Sequence, residues 1–157
     1  MIEIDPGRLR PIGLTPAHHQ HLLQQLSSIP GHTTQLMRLI EVNRETMRVH
    51  DGLIERRARA LPRLLHRLED DGSALAVGDW VLAGSDGELW LHERLQPLTH
   101  LARRDADGRR HPVVSNVDTA LLVMGLDDDI NPRRLERYFA LVQGSGVGAV
   151  VVLTKAD

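Results

Sequence analysis

Thr154-Lys155-Ala156-Asp157 is the stretch whose residue types and spacing could do chemistry. It follows Val147-Gly-Ala-Val-Val-Val-Leu153, a short β-branched run of the kind that forms a strand buried on both faces of a parallel sheet. Ligands of open α/β sheets bind just beyond the carboxyl ends of the strands. A carboxylate there accepts two hydrogen bonds, from N1–H and the exocyclic amino group of guanine. Adenine has an acceptor at N1 and would leave that carboxylate unmatched. The lysine stem can lie along a flat base while its ammonium stays in water. Charged hydrogen bonds contribute about 1.5–3 kcal/mol each, enough to choose GTP over ATP. The same four residues would also serve as a plain polar loop closing a strand.

Lys155 is the only lysine in the chain. A phosphate-cradling P-loop, G-x-x-x-x-G-K-[ST], needs a lysine to reach the β- and γ-phosphates, so none lies upstream of the guanine-type motif. Either the motif is accidental or these residues are the front of a GTPase whose motifs run in a different order.

The 157 residues are enough for one sizeable domain or two small ones. A content of 41% hydrophobic and 25% charged residues is that of a globular chain rather than a disordered one. One Phe, one Tyr and two Trp make any core mostly aliphatic and leave few rings for stacking on bases. The lack of cysteine excludes disulfides and thiolate metal sites. With no signal peptide and no apolar span, a cytoplasmic location away from membranes is expected. The net charge of −2 covers a positive set that is nearly all arginine. Arginine suits phosphate contacts, although an arginine-rich proteome produces the same bias.

Several elements must position the motif. Residues 1–32 read as a helical arm, with Thr15-Pro16 as cap and first turn, Leu22, Leu23, Leu26 and Ile29 at helical spacing, and Pro30-Gly31 as the stop. His18 and His21 could share a face, read as solvated rather than as a metal site. Residues 33–104 read as β structure: Gln35–Val42, a turn at Asn43-Arg44-Glu45, Thr46–His50, a hairpin signal at Asp51-Gly52, and Leu53–Ala60. Leu61, Leu64, Leu65 and Leu68 mark a short amphipathic helix with Pro62 in its first turn, ended by Asp70-Asp71-Gly72. Strands at Val77–Leu82 and Glu88–Leu95 follow. Three strands, a helix and two strands make a five-stranded OB-type barrel, a fold that binds oligonucleotides.

Residues 105–112 form a basic connector. Beyond it, Val117–Gly125 reads as a buried strand and Pro132–Gln143 as a helix capped by Asn131, with Asp127, Asp128 and Asp129 placed to favour its N-terminus. With the closing strand this is a right-handed βαβ unit. The fold class is therefore β plus α/β: the barrel, then the first βαβ unit of a P-loop-type GTPase domain at 113–157. Two parallel strands and one helix do not complete a domain. The chain is expected to stop mid-domain, and its open ladder edge to drive self-association through residues 113–157.

The stretches Val77-Gly-Asp-Trp-Val81, Asn116-Val-Asp-Thr119, Asn131-Pro-Arg-Arg-Leu-Glu-Arg-Tyr138 and Leu153-Thr-Lys-Ala-Asp157 resemble the circularly permuted, ribosome small subunit-dependent GTPases (ribosome small subunit-dependent GTPase A), over roughly residues 33–157. The resemblance implies the N-terminal part of a GTP-binding, GTP-hydrolysing factor that binds the small ribosomal subunit and its rRNA and assists its maturation. It implies a guanine motif that precedes the P-loop and switches, GTP or GDP with Mg2+ in the intact protein, and a family zinc site outside this chain. Thr154, Lys155, Ala156 and Asp157 then form the base-recognition loop, with Thr154 where many GTPases carry asparagine. No catalytic or metal-binding residue is expected within the chain, and Ser115 and the histidines suggest no nucleophile and base.

In that family the barrel contacts rRNA, so arginines are the candidate contacts. In a strand Arg57 and Arg59 share one face, with Arg56 opposite. Arg63 and Arg67 share a helix face, and Arg103, Arg104, Arg109 and Arg110 crowd the connector. The scarcity of aromatics favours folded RNA read by shape and phosphates over tightly held single strands. Two other readings stand beside this one: an OB-fold RNA-binding module without nucleotide activity, and an interaction scaffold.

Overall fold

The structure, a computed structural model, describes residues 2–26, 34–104, 110–127 and 130–155. The N-terminal segment runs β1 (Ile2–Glu3), α1 (Pro6–Leu9), a 3-10 turn at Arg10–Ile12 and α2 (Pro16–Leu26). Then follow β2 (Thr34–Val42), β3 (Met47–His50), β4 (Glu55–Ala60), α3 (Pro62–Asp70), β5 (Trp80–Asp86) and β6 (Glu88–Arg94). Antiparallel pairs β2–β3, β3–β4, β5–β6 and β2–β5, with the parallel pair β4–β6, close a five-stranded barrel, as expected. Alternate positions face inward: Met37 and Leu39 from β2, Met47 and Val49 from β3, Ala58 and Ala60 from β4. Leu64 and Leu68 of α3 join the same core. Each of the leucine, valine and methionine side chains contributes about 1.5–3 kcal/mol by leaving water, and each alanine less.

The Asp51-Gly52 turn is longer than a two-residue hairpin. Asp51 Oδ1 accepts the N–H groups of Leu53 and Ile54, at 2.8 and 2.9 Å, which bends those residues into the turn and delays β4 to Glu55. Gly52, at φ 95°, permits the close approach of the arm: a Cβ there would sit 2.2 Å from the Arg8 carbonyl oxygen.

Residues 2–26 pack closely on the barrel. β1 pairs in parallel with β2, and Leu9, Leu14 and Leu22 bury against Leu36, Trp80, Leu82 and Leu95 in a second apolar cluster. Thr15 caps α2 as expected, its hydroxyl accepting the His18 N–H at 3.2 Å and lying 2.7 Å from His18 Nδ1. His18 is buried and not on a solvated face, because α2 turns it toward the barrel. His21 reaches the Gln96 carbonyl at 3.0 Å.

Burial lowers the His18 pKa below its ordinary value near 6.5; Asp118 opposes that shift, and Arg38 and His21 add to it. The folded state therefore binds this proton less readily than the unfolded state. Its contribution to stability is full above the unfolded value and is lost as the pH falls below it. Amide protection in residues 16–26, relative to the intrinsic exchange rate at each pH, is expected to fall from about pH 7 to about pH 5, beyond the trend of the barrel strands, and His18→Asn should remove the excess. Identical pH trends for wild type and variant would contradict this.

The second half opens with a hairpin, β7 (His100–Arg104) and β8 (Arg110–Ser115), then β9 (Thr119–Gly125), α4 (Pro132–Gln143) and β10 (Gly148–Thr154). β9 and β10 pair in parallel, from Thr119 opposite Gly148 to Gly125 opposite Thr154. Asn131 caps α4, accepting the Arg134 N–H at 2.9 Å. Leu101, Val142 and Val147 form the core of this unit, with Val114, Val117, Ala120, Leu122 and Ala149 packed around them. One face of the pair is open, as two strands and a single helix require. Leu121 and Val123 are each 64% exposed, and Val150 and Leu153 are about half exposed, because α4 covers only one face of the pair. Among the described residues no helix is long and apolar enough to cross a membrane.

Candidate guanine-recognition loop and its supporting junction

Thr154 ends β10 opposite Gly125, and its carbonyl accepts the Leu126 N–H at 2.9 Å. The chain then turns sharply, since Lys155 has φ 56°. The Lys155 ammonium pairs with the Asp127 carboxylate across the mouth of the two strands. Asp127 thus binds the motif lysine, a partner that its place in the sequence does not suggest. Gly125 makes room: a Cβ there would lie 2.8 Å from Asp127 Oδ1 and 3.5 Å from Lys155 Cδ. The pair is exposed and contributes little to stability, but it lays the lysine stem across the strand ends. Ala156 and Asp157 lie outside the described residues, as do Asp128 and Asp129.

The elements carrying this loop are fixed to the barrel by two of the stretches that bear the family resemblance. The Ser115 N–H donates to the Val77 carbonyl at 2.8 Å. Asn116, buried and at φ 54°, donates through Nδ2 to the Gly78 carbonyl at 2.9 Å and accepts the Leu98 N–H at 2.9 Å. Arg38 completes the junction. It donates to the Ile12 carbonyl of the arm and, at 3.0 Å, to the Asn116 carbonyl, while its guanidinium lies 5.5 Å from the centre of a Trp80 ring. One side chain thus ties arm, barrel and α/β unit together. Sequence reasoning misses Arg38, although a lone arginine within the apolar run Leu36-Met37-Arg38-Leu39-Ile40 is the signal that marks it.

Asp79 is fully buried beside this junction, where its Oδ2 accepts the Ala76 N–H at 2.9 Å. Burial raises its pKa; the Ala76 N–H, the Ser115 hydroxyl and the Arg94 charge oppose the rise. Ser115 Oγ also lies 3.3 Å from His100 Nδ1, a contact that sequence reasoning does not anticipate. The order is carboxylate, hydroxyl, imidazole. A serine nucleophile needs the imidazole between hydroxyl and carboxylate, and Ser115 is fully buried, so this group holds structure.

The described candidate RNA arginines come from separate elements, β4, α3, β7 and β8. Arg57 and Arg59 point outward from β4 and Arg56 is half-buried on the other face, as the strand period requires. Arg59 lies 3.5 Å from Glu88, and Arg67 pairs with Glu93 through both terminal nitrogens. Glu88 and Glu93 are five residues apart on β6, so these pairs are about 17 Å apart. Arg63 and Arg103 are exposed. Arg104 and Arg110 lie in paired strands, and Arg109 falls outside the described residues. Among the described residues no three His, Asp or Glu side chains are grouped to hold a metal ion.

Residues 92–157 match the family described as RsgA GTPase. A small ribosomal subunit biogenesis GTPase RsgA from Leptospira interrogans is 40% identical over 91 residues, which are 55% of this chain and 25% of that protein. The protein of the same name from Xanthomonas oryzae pv. oryzae is 48% identical over 84 residues, 52% of this chain and 22% of its own length. The chain thus spans about a quarter of the length of these curated relatives. Two solved structures share the fold. The circularly permuted GTPase YloQ has a TM-score of 0.56 at 22% identity, over 80% of this chain and 42% of its own. YjeQ from Thermotoga maritima has a TM-score of 0.59 at 18% identity, over 79% and 42%. These matches bear out the family resemblance and the fold class.

Proposed function

With residues 92–157 matching the RsgA GTPases, we propose that this chain is the N-terminal part of a GTP-binding, GTP-hydrolysing factor that binds the small ribosomal subunit and assists its maturation. The observation that carries this reading is the parallel pair β9–β10, which delivers Thr154 and Lys155 to the carboxyl end of the sheet within the matching segment. Ligands bind at that end of α/β sheets. Asp157 would take the N1–H and amino group of guanine, and Lys155 would lay its stem along the base with Asp127 holding its ammonium. The Thr154 hydroxyl and the Ala156 backbone would brace the loop. Residues 1–157 contain no phosphate cradle, so they supply base recognition; Mg2+ and the donors that stabilise the transferring phosphoryl group belong to other parts of the factor. A cytoplasmic setting follows from the ribosomal partner.

Arg56, Arg57, Arg59, Arg63, Arg67, Arg103, Arg104, Arg109 and Arg110 are the proposed rRNA contacts of this part. Each phosphate neutralised contributes to a linear fall of log affinity with log salt. Co-sedimentation of residues 1–157 with purified small subunits is expected at low salt and to be lost steeply as salt rises, with weaker retention on large subunits. Arg57→Glu, Arg63→Glu and Arg103→Glu together should flatten the salt slope by about one unit for each phosphate that is no longer neutralised. Equal retention on both subunits, unaltered by the triple reversal, would overturn the reading.

A further inference from the structure

We infer that the groove between the β7–β8 hairpin and α4 holds one nucleotide of a single-stranded RNA segment, with its base stacked on Tyr138 and its phosphate between Arg103 and Arg137. This rests on the proposed RNA-binding role and adds a place and a mode of binding to it. The groove has a volume of about 550 Å³, within the range of sites that enclose small ligands. Its lining combines apolar Ala102, Ala140 and Leu141 with Arg103 from the hairpin and Arg137 and Tyr138 from the helix.

Three features together mark this groove. First, its cations are available. Arg48, Arg59 and Arg67 each lie against a carboxylate, whereas among the described residues neither Arg103 nor Arg137 is ion-paired. Second, the ring is accessible: Tyr138 is 48% exposed, although a tyrosine on the amphipathic α4 would ordinarily turn its apolar body to the core. Third, the Arg137 guanidinium sits 5.8 Å from the centre of the Tyr138 ring, close enough for cation–π attraction. That contact supports the ring from one side and puts a positive charge beside it, the pairing that a base and its phosphate require.

The α4 carbonyls that end in this groove would repel a phosphate, but they are already engaged. Ala140 O accepts the Gly144 N–H at 3.0 Å, and Leu141 O accepts the Ser145 hydroxyl at 2.9 Å. The anion is therefore directed to the arginines and the base to the ring and the apolar lining residues. Base stacking on an aromatic side chain is sequence-tolerant because every base has a π face. The site accordingly takes an unpaired nucleotide of any identity, displayed from folded RNA at a loop or bulge.

The test uses the 157-residue chain and a short fluorescent oligouridylate carrying 4-thiouridine. Tyr138→Ala should weaken binding about tenfold and Tyr138→Phe should leave it within about twofold, since the ring does the stacking. Arg103→Glu with Arg137→Glu should flatten the salt slope by about 0.7 for each phosphate that is no longer neutralised, and photo-crosslinks should map to residues 137–145. Binding by Tyr138→Ala equal to wild type, with crosslinks elsewhere and with Arg57→Glu and Arg63→Glu still weakening the complex, would overturn this groove while leaving RNA binding intact. Absence of any salt-dependent binding by the wild-type chain would overturn both. Loss of binding by Tyr138→Phe as well as Tyr138→Ala would assign the contact to the phenolic hydroxyl and likewise overturn the stacking role.

Discussion

Gly78→Ala is expected to cost about 3 kcal/mol or more of folding stability, and Gly87→Ala about 1–2 kcal/mol. The two glycines share a φ of 93°, a left-handed backbone that strains any residue with a Cβ. They differ in their surroundings. A Cβ on Gly87 would meet nothing within 4 Å, so its substitution reads the backbone strain alone. A Cβ on Gly78 would lie 2.0 Å from the Ser115 carbonyl oxygen, which belongs to the strand leading into the α/β unit. Neither backbone can give way cheaply, because the Gly78 N–H donates to the Leu39 carbonyl at 2.7 Å, the Gly78 carbonyl accepts from Asn116, and Ser115 donates to Val77. Urea unfolding of both variants measures the difference. Equal losses would mean that barrel and α/β unit are not locked where the structure locks them.

The same junction shows how much can be read without coordinates. Val77-Gly-Asp-Trp-Val81 and Asn116-Val-Asp-Thr119 are recognisable as stretches, and the alternation and turn residues place every barrel strand within a few positions. That these two stretches bind one another is not legible, because Ser115 N–H and Asn116 Nδ2 reach residues 38 positions away, Val77 and Gly78, whose accepting groups are backbone carbonyls that every residue carries. Arg38 escapes for the same reason, since its acceptors are the carbonyls of Ile12 and Asn116. The arm is misread at His18 because a polar side chain on an amphipathic helix counts as solvated by pattern, whereas Thr15 and the surrounding barrel bury it.

At the candidate site, periodicity correctly gives a parallel pair ending at Thr154, but a continuous β-branched run does not say how many faces are covered. Leu121, Val123 and Leu153 remain open to solvent. Proximity in sequence relates Asp127 only to the helix N-terminus. The strand ends also bring it to Lys155, 28 positions away, and the opposite charge decides that pairing. By composition Tyr138 is one ring among few, and only the fold puts it beside Arg103.

Exchanging the acceptor at Asp157 reports on guanine recognition by this loop. A carboxylate accepts from both N1–H and the 2-amino group of guanine; a carboxamide offers one acceptor and one donor, which matches the N1–H and 2-oxo group of xanthine. Each charged hydrogen bond is worth about 1.5–3 kcal/mol. In the full-length protein carrying residues 1–157, Asp157→Asn is therefore expected to lower GTP affinity about 100-fold and to make XTP the preferred nucleotide. Competitive binding of GTP and XTP to wild type and variant reads both changes in one experiment. A reversal of preference is the result this account predicts; unchanged preference for GTP in the variant would contradict it.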